Sequence, residues 1–340
     1  MRQRSRSVYD SRRRLTFGRD GISTAKRQMF VAVYMEENEM KRSLTFVAVV
    51  LCLVCVFAVA ACTPANKEFD ATKNITVITR EDGSGTKGAF MEIIGLKGKK
   101  DVSGAILCNS TDAVLAGVKT NPYAIAFDSL GFVVGREGAK ILTVDGVAPS
   151  AATVKDGSYS ISRPLSIVYK ETTLENKLYK AYYDFLMSSQ AQDIVANGYK
   201  SLTEGGYIVN VDNAKEYKAN ASLSGKIAIS GSTSLKPLME GLAAKFEEMQ
   251  PNVTVEVSGG GSGQGYKDAQ NDVSVFGMIS EPFTQSKAEA CTSSVVALDG
   301  IAVIVNSSNP LTNISKADLA AIYNVDAGEA AIKTWDKVVK

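Results

Sequence analysis

Short apolar runs alternate with amphipathic stretches along most of the chain. The β-branched run 75–79 predicts a strand, and residues 89–94 predict the helix after it. The run 226–230 predicts another strand that leads into a long helix. The apolar face of that helix consists of Leu235, Leu238, Leu242, Phe246 and Met249. Residues 253–257 predict a further strand, and the wholly apolar run 301–305 is typical of a strand buried in a parallel sheet. This alternation predicts an α/β fold.

The N-terminal part of the chain follows a different pattern. Residues 40–42 (Met-Lys-Arg) precede an apolar run of 18 residues, 44–61, which ends in small residues before Cys62. This order is typical of a bacterial lipoprotein signal peptide, in which residues 40–61 are removed and Cys62 receives lipid. The alternative is a transmembrane anchor, because a run of this length nearly spans a bilayer. Either interpretation places the remainder of the chain outside the cytoplasm.

The segments beside the signal peptide have simple interpretations. Residues 1–39 contain the arginine cluster 12–14, which would suit a basic nucleic-acid-binding arm. Such an arm does not fit ahead of an export signal, so we interpret 1–39 as an upstream extension of the gene, with translation starting at Met40. Residues 62–73 predict a polar tether. The stretch 204–224, rich in Gly, Asn and Lys, predicts a surface connection.

Composition argues against several functional classes. The chain has no histidine, which removes the commonest general base and the commonest neutral metal ligand. From Cys62 onward it carries 27 basic and 31 acidic residues, so nucleic-acid binding has no electrostatic basis. Of the five cysteines, Cys52 and Cys55 fall in the signal peptide. Cys108 and Cys291 could pair outside the cell, but their spacing gives no disulfide signature and we predict buried, unpaired thiols.

Three turns rich in Gly, Ser and Thr each connect a predicted strand to a predicted helix. They occupy residues 80–86, 230–234 and 259–265. Each presents backbone N–H groups and hydroxyls at a helix N-terminus, where the helix dipole favours an anion. A single turn of this kind is usually an ordinary helix cap. Three of them, one with an arginine, predict a site for a small oxyanion that needs no metal and no cofactor.

Two nucleotide-binding motifs are weaker alternatives. Residues 83–88 satisfy the spacing Gly-x-Gly-x-x-Gly after a strand, as in dinucleotide-binding folds. The next predicted strand, 105–108, ends in Asn109 rather than in the acidic residue that would bind a ribose. The same segment lacks the Gly-Lys-Ser/Thr ending of a phosphate-binding P-loop.

Longer segments resemble a known family. GSTSLKPLMEGLAAKF, VEVSGGGSGQGYKDA, VFGMIS and LDGIAVIVN are similar to the first half of phosphate ABC transporter substrate-binding proteins. ITVITREDGSGTKGAF, NPYAIAFDSLG and YSISRPLSIVYK are similar to the second half. Together they cover nearly all of residues 74–340. The resemblance implies a two-lobe, type II periplasmic-binding-protein-like fold with two crossovers between the lobes. Residues 74–163 plus 299–340 would form one lobe and 164–298, with the GSTS and GGGSG loops, the other.

The two halves stand in swapped order, which suggests a circularly permuted chain. The segment at Trp335 would then meet the strand that begins near Asn74, and 204–224 would join the old termini. The alternative is a truncated tandem gene, in which halves of two modules fold separately.

The resemblance also implies the ligand-binding residues. Arg80 would make the charged contact, oriented by Asp82. Neutral donors would come from Ser84, Gly85, Thr86, Thr233, Ser234 and Ser262. Ser280 stands where the family often has an aspartate that accepts the proton of hydrogen phosphate, and the neighbouring Glu281 is a candidate substitute.

The function that the resemblance implies is extracytoplasmic capture of inorganic phosphate. The protein would be a lipid-anchored monomer on the bacterial cell membrane that delivers phosphate to an ABC transporter permease, without enzyme activity. One alternative is a binding protein for another tetrahedral oxyanion, such as sulfate or molybdate. Another is a signalling or scaffold lipoprotein of the same fold. An extracellular phosphatase is disfavoured by the absence of histidine and of clustered carboxylates.

Overall fold

The computed structural model describes residues 68–200, 206–220 and 222–339. The predicted extension 1–39, the signal peptide 40–61 and the lipidation site Cys62 lie outside the described residues. The described residues belong to one compact unit. Among the described helices, none combines the length and the apolar character needed to span a membrane.

The described elements alternate as the sequence predicts. The strands are β1 Thr76–Arg80, β2 Ile106–Cys108, β3 Ala124–Ser129, β4 Ala139–Ile141, β5 Thr143–Val144, β6 Ser162–Tyr169, β7 Ile208–Val209, β8 Gly225–Gly231, β9 Val253–Gly259, β10 Phe276–Ile279, β11 Thr292–Asn306 and β12 Asn313–Ile314. The α-helices are α1 Gly85–Ile93, α2 Thr111–Thr120, α3 Leu130–Val133, α4 Ala151–Lys155, α5 Lys177–Leu186, α6 Ser189–Asn197, α7 Lys236–Met249, α8 Ser262–Gln270 and α9 Lys316–Tyr323. Short 3₁₀ turns occupy Glu171–Glu175, Gln285–Lys287, Gly328–Ala330 and Trp335–Lys337.

One strand, β11, runs through both halves of the main sheet. The strand order is β2-β1-β3-β11-β6-β10-β8-β9, with β4 and β7 also paired to β11. The first part of β11 pairs antiparallel with β6, where Asp299 lies opposite Arg163, and its last part pairs antiparallel with β3. β6 and β11 are therefore the two connections between the halves, as the type II fold requires.

Each half of the sheet packs its own apolar core, which defines two lobes. One core surrounds β8 and β10 and includes Tyr182, Phe246 and Phe276. The other lies against β1, β3 and the end of β11, where Phe90 stacks on Phe127 with ring centroids 4.1 Å apart. Two separate cores allow the lobes to move as rigid bodies about β6 and β11.

Two predictions from the sequence are wrong. The apolar run 301–305 is buried, but it is antiparallel to its neighbours β3 and β4 rather than part of a parallel pair. Its continuous apolar character reports burial on both faces of the sheet, not strand direction. The stretch 204–224 is not only a surface connection, because Tyr207 and Ile208 are buried and Ile208 starts β7 against β11.

The first and last described segments lie side by side. Asn74 forms a β-bridge with Thr334, and the backbone N–H of Ile75 donates to the carbonyl of Lys333 at 2.8 Å. Trp335 is buried and its indole N–H donates to the carbonyl of Tyr123. This is the meeting of segments that a permuted order predicts. The prediction of free thiols is also confirmed, since Cys108 and Cys291 are both buried and neither forms a disulfide within the described part of the chain.

Candidate functional site

Arg80 ends β1 at the junction of the two lobes and is 1% exposed. Its Nε and Nη2 atoms donate to the Glu81 carboxylate, each at 2.9 Å. Nη2 also donates to the Thr233 hydroxyl of the other lobe at 3.0 Å. Nη1 is buried and has no hydrogen-bond partner among the described residues. The guanidinium is therefore held in place by two partners while one donor stays free for a ligand.

The prediction that Asp82 orients Arg80 is wrong. The Asp82 side chain is fully exposed, and its carboxylate accepts a hydrogen bond from Lys87 at 2.9 Å. The loop turns at Gly83, whose φ of +89° is a conformation that glycine adopts without strain. This turn directs Asp82 to solvent and leaves the adjacent Glu81 to hold Arg80.

Lys87, in the first turn of α1, adds a second positive charge. This charge was not predicted from the sequence. Its side chain is largely buried, and its ammonium also donates to Asp101 at 2.6 Å. Burial alone would lower the pKa of Lys87, but the hydrogen bonds to Asp101 and Asp82 outweigh it and raise that pKa. Lys87 therefore stays charged close to the N-terminus of α1.

The loop 80–86 meets the start of α7 across the cleft. α1 begins at Gly85, and Ser84 caps it by accepting from the backbone N–H of Lys87 at 3.3 Å. The hydroxyls of Thr86 and Ser234 hydrogen-bond at 2.9 Å, and both residues are buried. Just before α7, the Ser232 hydroxyl accepts from the backbone N–H of Leu235 at 3.2 Å, and the next two hydroxyls, those of Thr233 and Ser234, face the other lobe.

The glycine loop before α8 packs against the same point. Ser262 is the first residue of α8, and its Oγ accepts from the backbone N–H of Ser280 at 3.0 Å. The backbone N–H of Gly263 donates to the carbonyl of Gly83 at 2.9 Å. A Cβ atom built on Gly85 would lie only 2.4 Å from Ser262 Oγ, so a side chain at that position has no room. The N-termini of α1, α7 and α8 thus converge on one buried point.

Ser280 and Glu281 lie at different places in the site. Ser280 is buried beside Ser262, with the two hydroxyls 3.3 Å apart. The Glu281 carboxylate pairs with Lys287 at 2.6 Å and faces the outer side of α1 at Gly88. A role of Glu281 as acceptor for a ligand proton stays a prediction, and its present partner is a lysine.

Several residues around the site were not predicted from the sequence. Thr111 at the start of α2 is buried, and its hydroxyl lies 3.4 Å from the carbonyl of Thr233. Thr111 follows strand β2 and the helix cap Ser110, so the sequence has the same order of strand, hydroxyl-containing turn and helix here as at the three predicted turns. Asp128, Arg163 and Asp299 are fully or almost fully buried where the lobes join. In the sequence, each of these three is only a charged residue within an apolar strand, and this pattern does not predict which residue it contacts.

The arrangement suits a small, rigid anion with several oxygen atoms. Three helix N-termini, neutral hydroxyls and one guanidinium donor surround a point enclosed by both lobes. Within the described residues, no group of three or more carboxylate or thiol side chains is placed to hold a metal ion. The chemistry on offer is hydrogen-bond donation to an oxyanion.

The fold and site define a two-lobed binding protein, and comparisons with known proteins agree. A sequence model of the PBP superfamily domain matches residues 65–190 and 217–339, so the chain belongs to that superfamily. The protein named "Phosphate-binding protein PstS 2" from Streptococcus pneumoniae serotype 4 is 35% identical over 310 residues, which cover 88% of this chain and 99% of the relative. A protein of the same name from Streptococcus agalactiae serotype V is 34% identical over 259 residues, 73% of this chain and 84% of the relative.

A solved structure gives the same result. The crystal structure of a phosphate ABC transporter, phosphate-binding protein from Streptococcus pneumoniae TIGR4 matches with a TM-score of 0.60 and 36% identity, covering 78% of this chain and 100% of that one. The chain is a member of the phosphate ABC transporter substrate-binding protein family.

The comparisons also bear on the swapped order of the halves. The pneumococcal relative aligns over 99% of its length, so it has the same segment order. In the structure, Arg80 and Thr233 come from different halves and are hydrogen-bonded across one cleft. The permuted halves therefore form a single site, and the alternative of two separately folding half-modules is wrong.

Proposed function

We propose that this chain captures inorganic phosphate outside the cytoplasm and delivers it to an ABC transporter permease. The observation that carries the proposal is that the N-termini of α1, α7 and α8 meet beside Arg80, whose Nη1 has no hydrogen-bond partner among the described residues. The names of the relatives at 34–35% identity support phosphate as the ligand. The protein binds and releases its ligand without covalent chemistry.

Each predicted ligand residue has a role in this proposal. Arg80 contributes the charge-assisted hydrogen bond, and backbone N–H groups at the start of α1, α7 and α8 supply neutral donors. The remaining donors are Ser84, Gly85, Thr86, Thr233, Ser234, Ser262 and Ser280. The lobe boundaries that we propose are 74–163 plus 299–340 for the lobe of Arg80, and 164–298 for the lobe of Thr233. Closure of these lobes removes water and strengthens each contact.

The membrane location also belongs to the proposal. Cys62 carries the lipid, residues 62–73 act as a tether, and the folded part works as a monomer beside the permease. The lipid and the permease together keep the binding protein near the membrane, where its ligand is needed.

A second oxyanion is a specific alternative. Ser280 replaces the aspartate that the family often uses as proton acceptor, and the Glu281 carboxylate is paired with Lys287. If neither residue accepts the proton of hydrogen phosphate, the site discriminates less strongly against a fully deprotonated anion such as sulfate than a site with an aspartate would.

Calorimetric titration of the purified protein with phosphate, sulfate and molybdate tests the proposal. Five ligand heavy atoms at the ceiling of about −1.5 kcal/mol each give about −7.5 kcal/mol, a Kd of a few micromolar. We expect one phosphate per chain with a Kd of this order, and sulfate much weaker. Equal affinities would reject phosphate as the specific ligand, and no heat with any anion would reject the oxyanion site.

A further inference from the structure

A group of buried charges lies beside Arg80 where the lobes join. Arg163 of β6 and Asp299 of β11 form an ion pair at 3.0 Å, and both side chains are fully buried. Asp128 of β3 is also fully buried. The parallel register of β1 and β3, extended to the ends of both strands, places Arg80 beside Asp128. The ligand-binding arginine thus has a buried carboxyl group as its neighbour in the sheet.

Asp128 is the one carboxyl group of this cluster without a cationic partner in hydrogen-bond contact, among the residues that the structure describes. Glu81 matches the charge of Arg80 with two hydrogen bonds, and Asp299 matches that of Arg163. Oδ1 of Asp128 accepts the backbone N–H of the next residue at 2.8 Å, and Oδ2 has no partner in the described structure. An ionised Asp128 would therefore add an excess negative charge next to the anion site.

The surroundings of Asp128 favour its neutral form. Burial raises the pKa of Asp128 to about 8, against a smaller opposite effect of the backbone hydrogen bond and of the two arginines. Burial also raises the pKa values of the neighbouring thiol and phenol, so both stay uncharged. The titratable and charged groups that face Asp128 are Arg80 from β1, Cys108 from β2, Arg163 from β6, Tyr207 before β7 and Asp299 from β11.

We propose that Asp128 determines the anion affinity of the site through its protonation. As a neutral carboxylic acid it leaves the charge of Arg80 available to the anion, and once ionised it competes with the anion for that charge. The inference rests on the proposed function, because it concerns the same oxyanion site. Asp128 acts through Arg80 and is a positioning residue rather than a ligand contact.

The sign and size of the effect follow from linkage. A bound anion adds negative charge near Asp128 and raises its pKa further, so binding takes up a proton. The affinity for the anion then has its full value well below pH 8 and falls as the pH rises through 8. If the ionised form does not bind, the affinity falls about tenfold between pH 7 and pH 9.

The experiment is calorimetric titration of inorganic phosphate from pH 7 to pH 9 with three proteins. They are the wild type, Asp128→Asn, and the control Asp184→Asn, which removes an exposed carboxylate of α5 paired with Lys180. Titration of phosphate itself affects all three proteins equally and cancels in the comparison. We expect the wild type and the control to lose about tenfold more affinity across this range than Asp128→Asn.

A second readout is the number of protons taken up on binding. Titrations at pH 8 in buffers with different ionisation enthalpies should show that the wild type takes up about half a proton more per bound phosphate than Asp128→Asn does. An unchanged pH profile in Asp128→Asn, or equal proton uptake by the two proteins at pH 8, would overturn the inference. Absence of phosphate binding by the wild type at every pH would instead reject the proposed function on which it depends.

The pH dependence of folding provides a third test. The ordinary pKa of the group is 3.8 and the folded value is about 8, so between these values the folded state binds a proton that the unfolded state has lost. Wild-type stability relative to Asp128→Asn should fall as the pH rises from 4 to 8 and stay constant above 8. Thermal melting across this range checks it, and a constant difference between the two proteins would contradict it.

Discussion

Replacing Gly85 by alanine tests whether closure of the two lobes forms the binding site. An added Cβ would lie 2.4 Å from Ser262 Oγ, 3.0 Å from Ser262 Cβ and 3.1 Å from the carbonyl carbon of Ser280. Carbon atoms in contact are normally about 3.5–4.0 Å apart. Rotation of the Ser262 side chain moves its Oγ but neither of the other two atoms. The lobes would therefore have to separate at this point by about half an ångström or more.

The cost of that separation can be worked out from the contacts across the cleft. Hydrogen bonds of Arg80 to Thr233 and of Thr86 to Ser234 would lengthen, at about 1 kcal/mol each. Anion contacts made from both lobes at once would weaken as well. We expect a total loss of about 2–4 kcal/mol in phosphate binding, a Kd about 30-fold to 1000-fold higher. Both lobe cores are untouched, so the melting temperature of the free protein should stay within a few degrees.

The same helix offers a matched control. A Cβ on Gly88 would meet only the end of the Glu281 side chain, at 3.0 Å, and this flexible carboxylate can move aside. Gly88→Ala should keep wild-type affinity and gain slightly in stability, because alanine favours a helix interior. Calorimetric titration with phosphate and thermal melting of both variants are the measurements. Wild-type affinity in Gly85→Ala would refute the closed arrangement as the ligand-bound one.

Three further predictions concern the arginine and the lipid. Arg80→Ala should lose about 2–5 kcal/mol of phosphate affinity, because it removes the charged donor from an enclosed site, and titration of the folded variant checks this. Glu81→Gln should weaken binding more than Asp82→Asn, since Glu81 holds Arg80 and Asp82 is exposed; comparable losses in the two would contradict this assignment. Mass spectrometry of the membrane fraction should find Cys62 as the lipidated N-terminus, and peptides from 1–39 in the mature protein would show this to be wrong.

Local features of the site could be predicted from the sequence. A β-branched run, a turn of Gly, Ser and Thr, and an amphipathic run specify a strand, a loop and a helix within about 20 residues. The loops at 80–86, 230–234 and 259–265 follow this pattern, and the structure brings all three together. Their meeting across a cleft was implied by the family resemblance and not by the pattern itself.

Features that depend on distant partners could not be predicted. The run 301–305 reports its burial but not its antiparallel direction, because both kinds of central strand are apolar. The residue that holds Arg80 depends on the turn at Gly83, so the family resemblance implied Asp82 where the structure has Glu81. Asp128 is one charged residue in an apolar strand, and its relation to Arg80 exists only after β1 and β3 have paired.

The central claim is that both halves of the chain close over one phosphate, and a crystal structure of the protein grown with phosphate tests it most directly. The proposal predicts one anion in contact with Nη1 of Arg80, with the hydroxyls of Thr233 and Ser234, and with N–H groups at the starts of α1, α7 and α8. An anion bound elsewhere, or a site in which only one lobe contacts it, would contradict the claim.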